Sequence, residues 1–87
     1  MVLNFECFNA VLIYLQKTMT VNSIGQVTPI RVFTVINNIG DKFSREDIGY
    51  SIRKLLEEGY IKADAVFNQS AEITDITFAG HQYLKSL

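Results

Sequence analysis

Between Ser44 and Gly59 the chain spells out a helix with both ends marked, and the residue pattern changes immediately after it. The run S-R-E-D caps the start: the Ser44 side chain faces the free N–H groups of the first turn, and Asp47 reaches back to the Ser44 N–H. Ile48, Ile52, Leu55 and Leu56 recur at helical spacing as a buried stripe. Gly59 suits the C′ residue that ends a helix. Gly49, inside it, costs about 1 kcal/mol relative to Ala, which reads as room for another backbone. Beyond Gly59, residues 60–67 and 72–77 are strand-like, and Asn68, Gln69 and Ser70 form a hairpin tip between them. A lone hairpin is marginal in water, so hairpin and helix must share one core.

Upstream, residues 4–18 read as a helix with Phe5, Phe8, Leu12, Leu15 and Met19 on one face and Val11 beside it. Cys7, Ala10, Ile13 and Tyr14 make the opposite side apolar as well, so this helix needs cover on both sides. A symmetric second copy, a protein partner, an N-terminal strand or the chain's own last helix would each supply it. Residues 21–26 (V-N-S-I-G-Q) break the pattern as a loop. Thr28 as N-cap and Pro29 at the first helical position then open a second helix. Val32, Phe33, Val35, Ile36 and Ile39 form its apolar face, Arg31, Thr34, Asn37 and Asn38 its polar one, and Gly40 its C′ end. Asp41, Lys42 and Phe43 make a short turn. Thr77 caps a last helix over residues 78–86 that packs Tyr83, Leu84 and Leu87 on the core. The expected architecture is α+β and winged helix-turn-helix: three helices, a two-stranded hairpin wing and a short C-terminal helix, in one domain over residues 1–87.

Composition narrows the function. With 87 residues, 48% hydrophobic and 20% charged, the chain is long enough for one core and too apolar for disorder. No apolar run reaches the ~18 residues of a membrane span, so no membrane association is expected. One cysteine excludes an internal disulfide framework and suits a reducing cytoplasm. Eight Lys+Arg against nine Asp+Glu give a net charge of -1, which argues against a generally basic nucleic-acid coat while leaving a local patch open. His81 is the only histidine and has no nucleophile or metal-ligand spacing around it, so it reads as a residue packed against the wing. Cys7 has no neighbouring base and reads as a small apolar surface or interface residue. The five glycines fit no phosphate-binding loop. No catalytic activity, cofactor or metal is expected.

The C-terminal run I-T-D-I-T-F-A-G-H-Q-Y-L resembles the tail of a family of small bacterial and phage winged-helix proteins of unknown function, whose members read Leu-Thr-Trp-Glu-Gly-His there. Ile76, Thr77, Gly80, His81 and Leu84 match that pattern, with Phe78 and Tyr83 as aromatic replacements. The segment I-G-Y-S-I-R-K-L-L-E-E-G-Y-I and the opening L-N-F-E-C are similar as well, so the likeness covers nearly the whole chain. Many members carry a histidine near the position of Ser51, and this chain does not. The resemblance implies a winged-helix fold and a DNA-binding regulator of phage or mobile-element type.

In a helix-turn-helix protein the N-terminal part of the recognition helix faces base edges, and other elements touch phosphate. That places Arg45, Tyr50, Ser51, Arg53 and Lys54 as groove-side candidates, Ser44 at the helix N-terminus on a phosphate, and Lys42 and Lys62 as further phosphate contacts. The same helix carries Glu46, Asp47, Glu57 and Glu58 against Arg45, Arg53 and Lys54, a net -1. Two readings therefore stand: a regulator that binds double-stranded DNA as a homodimer, or a non-enzymatic interaction module gripping a protein partner through Cys7, Ala10, Ile13 and Tyr14. A continuous positive stripe favours the first and a mixed face the second.

Overall fold

The computed structural model describes residues 1–64 and 70–87. Helix α1 spans Phe5–Thr18, strand β1 Ile30–Arg31, helix α2 Val32–Ile39 and helix α3 Arg45–Glu57. Strands β2 (Ile61–Ala63) and β3 (Glu72–Ile76) follow, and helix α4 (Phe78–Lys85) closes the order. The fold is α+β: four helices and a small antiparallel sheet in the order β1-β3-β2 among the described residues. Of the expected hairpin, residues 65–69, including Asn68 and Gln69 of its tip, lie outside the described residues.

The helix ends follow their capping chemistry. Asn4 Oδ1 accepts from the Cys7 N–H at 3.1 Å, Ser44 Oγ from the Asp47 N–H at 3.1 Å, and Thr77 Oγ1 from the Gly80 N–H at 3.0 Å. At the end of α3, Gly59 takes φ +75°, its N–H donates to the Leu56 carbonyl (3.1 Å), and the Tyr60 N–H donates to the Leu55 carbonyl (2.9 Å). This double closure is a Schellman motif. It turns the chain at once into β2, so the sequence from helix to strand has no slack.

The start of α2 differs from the expectation. Thr28 and Pro29 do not open a helix; Ile30 and Arg31 pair with Ile73 and Glu72 of β3 instead, and α2 begins at Val32. The reason is partner supply. A strand edge at β3 offers hydrogen bonds to this stretch, and the Val32 N–H, otherwise free at a helix start, donates to the Ala71 carbonyl at 2.9 Å. Pro29, which has no N–H to give a ladder, stands just ahead of the strand. At its other end α2 stops at Gly40 in right-handed geometry (φ -71°), so Gly40 is a cap without the left-handed turn expected of it. The loop before β1 is closed on itself: Val21 bridges Val27, and Asn22 Oδ1 accepts from the Ile24 and Gln26 N–H groups.

The core joins Phe8, Val11, Leu12 and Leu15 of α1 to Val35, Ile48, Ile52 and Leu55 of the next two helices and to Ile61, Ile73 and Ile76 of the sheet. The buried face of α1 is rotated from the expected one. Cys7 is fully buried, whereas Phe5 is 64% exposed. The rotation follows from α3 being the main neighbour of α1: small Cys7 fits against it, and Phe5, in the first turn, overhangs the end of the contact. Phe33 and Leu87 are likewise exposed rather than packed, Phe33 because α2 is only eight residues long and already turns Val32, Val35 and Ile36 inward. The glycine that receives a backbone is Gly80 and not Gly49. A Cβ at Gly80 would strike the Tyr60 carbonyl and lie 2.8 Å from Ile76 Cγ2, while one at Gly49 would meet nothing. The Thr77 hydroxyl donates to the Gly59 carbonyl and its N–H to that of Tyr60. The start of α4 is therefore pinned to the end of α3.

Candidate nucleic-acid interface

Helix α3 buries Ile48, Ser51, Ile52 and Leu55 and turns the rest of its circumference outward. At about 100° per residue, Arg45 and Lys54 are nine positions apart and fall on opposite edges of the outward face. Glu46, Tyr50, Arg53 and Glu57 occupy its middle. The basic side chains are thus separated by carboxylates and make no continuous stripe along the helix.

Arg53 Nε donates to Glu57 Oε2 at 3.2 Å, and Lys54 Nζ donates to Glu57 Oε1 at 3.0 Å. One carboxylate holds two cations. Hydrogen bonding to Lys54, then to Arg53, draws the Glu57 carboxyl below the usual range, and hydrogen bonding to Glu57 raises the Lys54 ammonium above its own. Lys54 also lies 5.1 Å from the centre of the Tyr50 ring, a cation–π distance. Tyr50, Arg53, Lys54 and Glu57 therefore form one surface cluster. The i,i+3 and i,i+4 spacing of Glu57 to Lys54 and Arg53 is legible in the sequence, yet the reading above counts Glu57 as an opposing charge and not as their tether.

Ser44, Arg45 and Lys42 gather at the other end of α3, all exposed. The Ser44 oxygen is engaged with the Asp47 N–H, and Glu46 and Asp47 complement the helix dipole in the first turn. Those carboxylates oppose a phosphate there. Lys62 is exposed on β2, in register with Asp75 of β3. Arg31, read as part of a helix face, stands exposed on β1 opposite Glu72.

Ser51 does not belong to the interface. It is fully buried, and its Oγ has no hydrogen-bond partner among the described residues. Cys7 likewise leaves the expected surface patch. Burial pushes its thiol pKa up, with the Ser51 hydroxyl opposing and the Asp47 carboxylate adding to the shift. Ala10, Ile13 and Tyr14 are half-buried, and Tyr14 packs on the core. The chain's own α4 covers part of α1, where the Tyr83 hydroxyl donates to Asn9 Oδ1 at 2.6 Å.

His81 is exposed on α4 at the edge of a mainly apolar cavity of about 280 Å³, beside Met19, Val21, Val27, Asp75 and Ile76. Among the described residues, no group of three or more His, Cys, Asp or Glu is placed to hold a metal, and no helix is long and apolar enough to cross a membrane. Comparison with protein-family models, curated proteins and solved structures found no match.

Proposed function

We propose that the chain is a winged helix-turn-helix domain, without catalytic activity, that binds duplex DNA through α3 as a regulator. The observation that carries this reading is the topology. A short strand between α1 and α2 joins the β2–β3 pair in the order β1-β3-β2, which leaves α3 exposed between a tight turn and the hairpin. The turn is closed by Lys42 and Phe43 N–H groups donating to the Ile39 carbonyl at 3.2 and 3.4 Å. Helix α3 offers Arg45 and Tyr50 from its first two turns and Arg53 from its third to base edges, with Lys42 and Lys62 for phosphates. Glu57 sits about 18 Å along the helix from Arg45, at 1.5 Å per residue, but it holds Arg53 at 3.2 Å, so Arg53 must leave this carboxylate to reach a base.

The test is anisotropy of labelled duplex DNA across a salt series. The two phosphate contacts of Lys42 and Lys62 give a slope of about -2 per chain in log affinity against log salt. Replacing Arg53 by Ala weakens specific binding by about 1–3 kcal/mol. Absence of binding at low salt overturns the reading. The second reading, a protein-interaction module on the same scaffold, is the one the charge pattern favours: no continuous positive stripe runs along α3, and the Glu57 tether leaves its middle mixed in sign.

A further inference from the structure

The first turn of α1 carries an apolar protrusion beside an aromatic hollow. Phe5 is 64% exposed, and Met1 and Val2 just before it are more exposed still. Next to Phe5 a cavity of about 230 Å³ is walled by Leu3, Phe8, Tyr60 and Tyr83, with Phe5 itself as one side. The Tyr60 and Tyr83 rings stack at 4.9 Å, and Phe8 meets Tyr83 edge-on at 5.7 Å, so the floor is held in place. Lys54 and Glu58, one helical turn apart on α3, stand on the rim with opposite charges.

We propose that this surface binds a second copy of the chain across a two-fold axis. A two-fold contact must be self-complementary, because each residue of the patch meets the same patch on the other copy. The patch satisfies that in shape and in charge. Phe5 is the protruding ring and the hollow beside it is lined by aromatic side chains, whose edges and faces pack favourably on another ring. On the rim, the two-fold sets Lys54 of each copy toward Glu58 of the other. Glu58 forms no ion pair among the described residues. Lys54 has three N–H donors and serves a second carboxylate while keeping Glu57. The seam differs from the one expected in the middle of α1, and it holds whether α3 meets DNA or protein.

Sedimentation of the full chain tests the proposal, over a concentration series reaching about 1 mM, the weak end of specific association. The expected mass is about twice the 9.9 kDa of the chain. Phe5→Glu gives monomers with an unchanged circular-dichroism spectrum, because the ring it removes is outside the core. Glu58→Lys sets like charges against each other and raises the dimer dissociation constant roughly tenfold or more. The double variant Lys54→Glu/Glu58→Lys restores the pairing with signs exchanged and recovers dimers. A monomeric native chain, a dimer indifferent to Phe5→Glu, or a double variant no tighter than Glu58→Lys overturns it.

Discussion

At the residue scale, Ser51 and Cys7 show how a side chain's chemistry and its address separate. A serine between Tyr50 and Arg53 looks like a groove contact, yet the rotation of α3 points it at α1, where its hydroxyl is orphaned. A buried hydroxyl without a partner costs about 1–3 kcal/mol relative to a bonded one. Ser51→Ala is therefore expected to leave stability unchanged or raise it by about 1 kcal/mol in urea unfolding, and to leave DNA affinity untouched. A loss of DNA binding in that variant with the fold intact returns Ser51 to the interface. Gly59 and Gly80 look alike in sequence and act differently. The first supplies a left-handed backbone, and the second clears space for the Tyr60 carbonyl.

At the element scale, α3 is the helix whose ends and stripe were readable from its residues, because Ser44, Ile48, Ile52, Leu55 and Gly59 act locally. Its charge pattern was readable only as a sum. The structure groups Arg53 and Lys54 on Glu57, and this shifts the titration of Glu57 and Lys54. The Glu57 pKa is lowered, so its contribution to stability is present above the ordinary carboxylate range and fades as pH falls through the depressed value. Lys54 is raised, so its contribution is complete below the ordinary lysine value and fades as pH climbs through the raised one. Glu57 is exposed and Lys54 half-exposed, so solvent screens the pair and the effect on stability is small. In an NMR titration Glu57 is expected to protonate below the ordinary carboxylate range, and high salt is expected to draw it back toward that range. A Glu57 that titrates in the ordinary carboxylate range breaks the tether. If α3 binds DNA with its C-terminal end near phosphate, Glu57→Gln frees two cations and strengthens binding at low salt.

At the scale of the whole molecule, the folded surface is 5489 Å², close to the roughly 5,000 Å² that scaling gives for this mass. The chain closes its own core, with α4 lying over part of α1, and leaves Phe5 as an exposed overhang. Cys7, fully buried in the first turn of α1 and part of the core, then reports on opening of the domain. Its thiol is expected to resist a disulfide reagent in native buffer, reacting through the small unfolded fraction and accelerating in urea with the slope of global unfolding. Labelling at the rate of a free thiol in native buffer would place Cys7 on the surface.

What the sequence determined by itself was local: three of the four helix starts, the closure of α3 by Gly59, the strand-like runs after it and the α+β class. Each rests on groups within about one turn of one another, so a single sequence contains the whole argument. What only the tertiary structure decided depends on neighbours far along the chain. The edge of β3 drew Ile30 and Arg31 out of a plausible helix start, because hydrogen bonds from a strand more than forty residues away outweighed the local Thr-Pro signal. The packing of α1 on α3 chose Cys7 over Phe5 for the core. Periodicity locates an apolar face to within a residue or two, and the neighbouring helix fixes its rotation. The candidate interface divides the same way: its residue types were legible in the chain, and which charges stand free was settled by the fold.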